Sequence, residues 1–320
     1  MRFCASAMAM GLVSLGVASE LHSYLGGLHA TARSEPTYSL ALEYRRPFGD
    51  HLSGSFTWLN EGHLPSHHRD GQAIQLWWHT ARVDRGPIFQ VGLGPYRYFD
   101  TTVASNAEGY ANVHGWGLVA SAAATWQIGA RWLASLRINR VHVHNSFGST
   151  GVVAGMGYRF ESTSDDAAGA WTTSRAAAPG RWEIDAMLGA AVVNSFHSNA
   201  DLARAIGLRV RMTDHLAGSL TYLSEGDVQR GRRTGFSPQI WLADNLTNRL
   251  SVGVGIGPHL AIRKFRESDG RSASAVSALI SIAAAYAITP EWIGRLFWNR
   301  VETRYDRDSD VVMFALGYRF

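Results

Sequence analysis

The stretch Phe314-Ala315-Leu316-Gly317-Tyr318-Arg319-Phe320 places a large apolar side chain at every second position. Such alternation is typical of a β-strand with one apolar face. The last four residues, Gly317–Phe320, repeat the sequence of Gly157–Phe160. The sequence therefore predicts the same strand twice and indicates an internal repeat.

The repeat extends over most of the chain. Asp50–Gly62 matches Asp214–Gly226, and Asn139-Arg140-Val141 recurs as Asn299-Arg300-Val301. A period of this length indicates a duplicated domain and not a solenoid, whose repeats are of about 20–50 residues. We predict two units, the first at residues 20–160 and the second at 181–320.

Two segments lie outside the units. Residues 1–19 combine Met1-Arg2 with a short apolar core and small residues before a break, which is the pattern of a secretory signal peptide. The single cysteine, Cys4, lies within it, so we expect neither disulfides nor thiolate chemistry in the mature chain. Residues 161–180 are rich in Ala, Ser, Thr and Asp and are predicted to form a linker.

The first unit contains eight segments with strand-like alternation. Short spacers such as Gly49-Asp50 and Gly129-Ala130 alternate with longer polar stretches at 61–71, 100–113 and 144–148. Tight turns on one side and long loops on the other are typical of a transmembrane barrel. The predicted strands are 20–30, 36–47, 50–60, 72–83, 87–99, 114–127, 131–143 and 149–160.

The composition also favours a membrane barrel. Charged residues make up only 18% of the chain, which is low for a soluble protein, and no apolar run outside the leader reaches the ~18 residues of a helical span. We expect the apolar strand faces to contact lipid, and polar residues such as Arg137, Asn139 and Arg159 to fill a narrow lumen. A soluble lipocalin-like barrel would instead place its apolar side chains inside.

The fold prediction is therefore all-β, a transmembrane antiparallel β-barrel protein. We favour two tandem eight-stranded barrels, because each unit has a complete strand set and its own closing strand. One 16-stranded barrel is the alternative. Tryptophans in both units are predicted to form interfacial girdles. They are Trp58, Trp77, Trp78, Trp126, Trp132, Trp292 and Trp298.

On strand pattern, loop alternation and the Tyr-x-Phe ending, each unit resembles the bacterial eight-stranded outer-membrane barrels. This class includes OmpX-type barrels and the lipid A enzymes PagL and PagP. The resemblance implies a location in the outer membrane with the long loops outside the cell. It also implies that the barrel assembly machinery recognises the final strand through Tyr318 and Phe320.

The charge pattern suggests partners. The net charge of +4 favours anionic partners such as lipopolysaccharide phosphates, and no basic helix or recognition motif points to nucleic acid. In the second unit, Arg232, Arg233, Lys264 and Arg266 are predicted to bind these phosphates. The predicted binding residues of the first unit are His63, His67, His68, Asp70 and His114. Their spacing matches no established metal site, so we predict neither metal nor cofactor.

A structural or binding role at the cell surface is the leading functional prediction. A lipid A-type acyl hydrolase is the first alternative, because His144-Asn145-Ser146 resembles the His-x-Ser element of PagL-type deacylases. Glu61 or Asp70 would then supply the carboxylate that orients the histidine. Phe147 stands where those enzymes have Asn, which weakens the resemblance, so we do not assign enzyme activity. A 16-stranded pore for small solutes is the second alternative.

Overall fold

The computed structural model of the protein describes residues 18–31, 36–81, 86–104, 109–160, 181–196, 200–226, 233–263 and 274–320. Most of the predicted leader and all of the predicted linker lie outside these residues. The described residues form sixteen antiparallel strands. No helix among them is long and apolar enough to cross a membrane.

The observed strands follow one another in the order that the sequence predicts. They are β1 (Glu20–Ala30), β2 (Pro36–Pro47), β3 (Leu52–Leu64), β4 (His67–His79), β5 (Ile88–Val103), β6 (Tyr110–Gln127), β7 (Trp132–Val143), β8 (Ser149–Arg159), β9 (Trp182–Val193), β10 (Ala200–Arg211), β11 (Leu216–Ser224), β12 (Thr234–Asn245), β13 (Leu250–Arg263), β14 (Val276–Ala287), β15 (Trp292–Glu302) and β16 (Ser309–Arg319).

The strands close into two barrels, β1–β8 and β9–β16. β8 returns to pair with β1 from Arg159–Glu20 to Ser149–Ala30, and β16 pairs with β9 in the same way. The alternative of one 16-stranded barrel is therefore wrong. The pairing of β8 with β1 leaves no unpaired strand edge in the first sheet. Unpaired backbone groups at such an edge are not tolerated in lipid.

Alternate side chains point outward and inward as predicted. Outward residues such as Leu76, Leu136 and Phe314 are 56%, 49% and 61% exposed. Inward residues include Glu43 and Arg137, which are buried. The apolar faces thus cover the outside of each barrel, and polar side chains fill the lumen. An inverted distribution would be expected for a soluble barrel, so the lipocalin-like alternative is excluded.

The duplication preserves contacts inside the lumen as well as the strands. Trp77 in the first barrel donates from its indole nitrogen to Ser55 Oγ at 2.9 Å, and Trp241 in the second donates to Ser219 Oγ at 2.9 Å. Beside these rings lie the guanidinium carbons of Arg45 and Arg209, 4.0 and 4.5 Å from the ring centroids. Trp77 was predicted as a girdle residue, and that prediction is wrong, because the side chain is fully buried in the lumen.

We call the end of each barrel that contains Ala30 or Val193 the loop end, and the opposite end the turn end. The predicted long loop at 61–71 is wrong. β3 continues to Leu64 and β4 begins at His67, so that only Pro65 and Ser66 connect the two strands. A register shift between Asn60 and His63 lets this extension form, and Gly62 occupies it with a φ of +70°, a conformation that suits glycine.

Candidate functional site

A buried ion pair closes the loop end of the first lumen. Arg69 donates to both carboxylate oxygens of Glu61, from Nε at 2.5 Å and from Nη2 at 2.7 Å. Tyr96 donates to the same carboxylate at 2.9 Å, and Ser149 also bonds to it. Both charged side chains are fully buried. Glu61, a predicted catalytic carboxylate, is therefore fully engaged in packing the lumen.

The second barrel repeats this ion pair at its own loop end. Arg233 donates to Glu225 at 2.9 and 3.0 Å and to Ser309 Oγ at 2.7 Å. Burial opposes the charge of Arg233, but the neighbouring Glu225 carboxylate raises the pKa of the guanidinium above its ordinary value. Arg233 was predicted to bind lipid phosphates. That prediction is wrong, because its side chain is buried in the lumen and paired with Glu225.

Ser146 lies at the mouth of the first lumen, but its partners are not those of an acyl hydrolase. It donates to Asp100 Oδ2 at 2.8 Å and accepts from Arg69 Nη1 at 3.1 Å. His67 Nδ1 lies 2.8 Å from the same Asp100 oxygen. His144 is exposed, and no hydrogen bond joins it to Ser146 among the described residues. The carboxylate thus stands between serine and histidine, which is not the order that activates a serine nucleophile.

Phe147 completes the closure of this mouth. Its ring lies 3.7 Å from the guanidinium carbon of Arg69, measured to the ring centroid, and its side chain is largely buried. Arg69 also donates to the Phe147 carbonyl. The residue that departs from the deacylase pattern therefore helps to seal the lumen.

The outer surface of the first barrel carries an acid that is buried although it points outward. Asp70 lies on β4, and Arg300 of β15 in the second barrel donates to its two oxygens at 2.8 and 3.0 Å. Arg300 also donates from Nε to Asp310 at 2.7 Å. Asp70, which was predicted to bind an external ligand, thus binds the other barrel.

A second ion pair joins the barrels beside the first. Arg97 of β5 donates from Nε to Glu302 at 3.3 Å and makes a second bond to the same carboxylate. His114 of β6 lies 3.1 Å from Glu302 Oε1 and donates from Nε2 to the Thr303 carbonyl at 2.7 Å. His114, another predicted ligand-binding residue, also belongs to the contact between the barrels.

The connection between β15 and β16, residues 303–308, docks on β6 of the first barrel. Asn112 donates from its backbone nitrogen to Asp306 at 2.7 Å, and its side chain accepts from the Asp308 backbone nitrogen at 3.1 Å. Asp308 also accepts from the Thr303 backbone nitrogen at 2.7 Å. Burial raises the pKa of the Asp308 carboxyl above its ordinary value, although the hydrogen bonds from Thr303 act in the opposite direction.

The barrels also touch at their turn ends. Arg46 of β2 lies 2.8 Å from Asp244 of β12, and Tyr44 donates to the same carboxylate. Between the two ends, the rings of Trp58 and Trp298 meet edge to face with centroids 6.5 Å apart. Loop end meets loop end and turn end meets turn end, so both barrels have the same orientation relative to the membrane.

The other predicted site residues are not assembled into one site. His63 and His68 stack on the outside of the β3–β4 hairpin with ring centroids 4.1 Å apart. No group of three or more His, Cys, Asp or Glu that is able to hold a metal ion occurs among the described residues. Arg232, Lys264 and Arg266 lie outside those residues. Tyr318 and Phe320 are exposed on the outward face at the end of the last strand.

A little less than half of this chain is similar to several solved structures. No protein-family model and no curated protein matches the sequence. The N-terminal β-barrel domain of Pseudomonas aeruginosa OprF is similar at 12% identity and a TM-score of 0.37, over 45% of this chain and 97% of that chain. Neisserial surface protein A is similar at 11% identity and a TM-score of 0.36, over 45% and 97%. Ail, the attachment invasion locus protein of Yersinia pestis, has 12% identity and a TM-score of 0.35, over 45% and 99%.

Each half is a closed eight-stranded antiparallel β-barrel with an apolar outer face. In this chain two such barrels stand in tandem.

Sequence reasoning missed the contact between these two barrels. Its residues occupy outward strand positions, where lipid-facing apolar side chains are expected. Arg300 was recognised only as the repeat of Arg140. The available signal was the set of charges at outward positions near the loop end, namely Asp70, Arg97, Arg300 and Glu302. Charges at such positions require partners.

Proposed function

We propose that this protein is an integral outer-membrane protein with a structural or binding role at the cell surface, and that it is not a diffusion pore. The proposal that the protein is not a pore rests on the side chains that fill both lumens. Trp77, Tyr96 and Trp241 have at most 1% of their surface accessible to water. The ion pairs Glu61–Arg69 and Glu225–Arg233 are buried at the loop ends. Packing of this kind leaves no continuous aqueous path through an eight-stranded barrel.

Conductance in planar lipid bilayers tests this part. We expect the purified full-length protein to produce no stable channels under conditions in which a general porin, reconstituted in parallel, conducts. Insertion is verified separately by protection of the protein from protease in the same lipid. Large, stable conductance steps from inserted protein would contradict the proposal.

The proposed orientation places the loop end outside the cell. It is supported by the second barrel, whose connections at the turn end have four residues each, whereas those at the loop end are longer. The predicted mature chain lacks cysteine, so single cysteines serve as position labels. Arg304 and Asp214 are both exposed, the first at the loop end and the second at the turn end. In intact cells, a membrane-impermeant maleimide should label Arg304→Cys and not Asp214→Cys, whereas the reverse labelling would invert the proposed orientation.

The proposal includes contact with lipopolysaccharide and recognition by the barrel assembly machinery. Basic residues in the predicted loops of the second unit, including Arg232, Lys264 and Arg266, support the first. The exposed aromatic side chains of Tyr318 and Phe320 support the second. Phe320→Ala should reduce the fraction of protein that reaches the outer membrane in folded form, whereas Phe160→Ala, at the equivalent internal position, should not. Equal effects of the two substitutions would exclude specific recognition of the last strand.

A further inference from the structure

Among the described residues, one arginine on the outer surface of the first barrel forms hydrogen bonds with hydroxyl groups alone. Arg140 lies on β7 near the loop end, and its side chain is exposed. Its Nη1 donates to Thr150 Oγ1 at 2.8 Å and to Thr31 Oγ1 at 3.1 Å. Among the described residues, no carboxylate lies within ion-pair distance of it. Because a guanidinium is always charged at physiological pH, Arg140 is available to bind an anion from outside these residues.

The equivalent arginine of the second barrel forms ion pairs with carboxylates. Arg140 and Arg300 are equivalent in the repeat, and each faces the next strand in the same register, Arg140 opposite Thr150 and Arg300 opposite Asp310. Arg300 is neutralised by Asp310 and by Asp70 of the first barrel. The duplication therefore presents one structural position twice, once with two carboxylates and once with two hydroxyls.

The surroundings of Arg140 indicate which anion is available. Directly below it on the outer surface, Ile138 and Val152 are both 49% exposed and belong to the apolar belt. Beside it lie the exposed histidines His142, two residues further along β7, and His29, opposite Thr150 on β1. An arginine flanked by two imidazoles at the edge of the apolar belt lies at the height of lipid headgroups.

We propose that Arg140, together with Thr150, His142 and His29, binds a phosphate group on the headgroup of an outer-leaflet glycolipid. The guanidinium supplies paired N–H donors that match the phosphate oxygens. The Thr150 hydroxyl accepts from Arg140, so its own proton is free to donate to the phosphate. This site differs from the basic loops of the second unit. It rests on the proposed function to the extent that the loop end must face the outer leaflet.

Binding of lipid A to the full-length protein in detergent micelles tests the site. The probes are bis-phosphorylated lipid A, the same lipid after removal of its phosphates, and inorganic phosphate as a competitor. We expect Arg140→Gln to weaken binding of the phosphorylated lipid about tenfold, and Thr150→Val to weaken it less. The matched control is Arg204→Gln, which removes an exposed outward arginine of the second barrel and should leave binding unchanged.

The outcomes separate the site from its alternatives. Equal losses in Arg140→Gln and Arg204→Gln would show unspecific attraction to net charge and would overturn the proposal. Undiminished binding of the dephosphorylated lipid would overturn it too. Displacement of the lipid by millimolar inorganic phosphate would assign the site to free phosphate and not to a headgroup. Failure of the proposed function would appear separately, as stable conductance or inverted maleimide labelling, in protein whose folding is verified by its circular dichroism.

Discussion

Asp70 occupies a position where a carboxylate is costly. Its neighbours along the outward face of β4 include Ile74 and Leu76, which are more than half exposed to the surroundings of the barrel. An unpaired charge at such a position is expensive in lipid. The pairing with Arg300 removes both side chains from lipid together, since they are only 11% and 5% exposed. A single residue therefore couples the stability of one barrel to the presence of the other.

A double-mutant cycle on this pair should report coupling of about 2 kcal/mol, because the partners are close and largely buried. The variants are Asp70→Ala, Arg300→Ala and the double substitution. Urea unfolding in phospholipid vesicles, followed by tryptophan fluorescence, gives the free energies. The repeat provides the control, since a cycle of Asp70→Ala with Arg140→Ala should show no coupling. Coupling within error of zero in the first cycle would contradict the assigned contact.

Inside the lumen, Arg69→Met leaves Glu61 buried without its cation. We expect a loss of about 3–5 kcal/mol in the free energy of unfolding, as for other buried ion pairs that lose one partner. Glu61→Met combined with Arg69→Met should recover much of this loss, because no buried charge is then left. Arg233→Met in the second barrel is the matched variant. If Arg69→Met unfolds at the same urea concentration as the unmodified protein, the ion pair does not stabilise the barrel.

At the scale of elements, the β3–β4 hairpin shows why polarity misled the loop prediction. Residues 61–71 are polar, and polar stretches between strands usually form loops. Here Glu61 and Arg69 are polar because they face a polar lumen, and Asp70 is polar because it faces the second barrel. Alternation alone does not separate these cases from a solvated loop. The strands with apolar outward faces, such as β2 and β7, were predicted to within a residue of their observed ends.

The connection 303–308 should dock more firmly as the pH falls. Because burial raises the pKa of Asp308 above its ordinary value of 3.8 in the folded protein, the protonated carboxyl is favoured there. The protonated carboxyl contributes fully to stability below pH 3.8. This contribution is lost as the pH rises through the raised pKa of the folded protein. Hydrogen exchange of the amides in this connection, corrected for intrinsic rates, should therefore show weaker protection at pH 7 than at pH 4.

Asp308→Asn keeps this side chain neutral at every pH and retains an oxygen that accepts from Thr303. The variant should lose most of the pH dependence. Any dependence that persists in the variant comes from groups other than Asp308. An unchanged dependence in Asp308→Asn would exclude the Asp308 carboxyl as its source.

At the scale of the whole molecule, the duplicated strands predicted the number, order and closure of the barrels. The repeat of Asn139–Val141 at Asn299–Val301 even identified the strand that carries Arg300. The arrangement of the two barrels was beyond the sequence, because it depends on which outward charges meet in space. Because the strands are tilted, β2 at the turn end and β4–β6 at the loop end lie on the same side of the first barrel. This arrangement leaves no periodic pattern in the sequence.

The contacts at both ends should hold the barrels together without a covalent link. A protease site inserted between residues 161 and 180 allows the chain to be cut after folding. We expect the two halves to co-purify in mild detergent, because buried ion pairs join them at the loop end. Removal of the ion pairs at both ends, by Arg300→Ala, Glu302→Ala and Asp244→Ala together, should release the second half, whereas Arg204→Ala should not. Separation of the unmodified halves on cutting would show that the linker alone holds them together.

The two barrels do not use the same surface to meet. At the loop end, the first offers β4–β6 and the second offers β15 and β16, which is a head-to-tail contact of the kind that would add units without limit if every copy kept both surfaces. The second barrel has lost the receiving surface, because Thr234 and Leu260 stand at the places of Asp70 and Arg97. The first has lost the donating one, with Thr150 in place of Asp310 and His142 in place of Glu302. The two remaining surfaces of the pair therefore lack the charges with which a third barrel would have to pair in the same way.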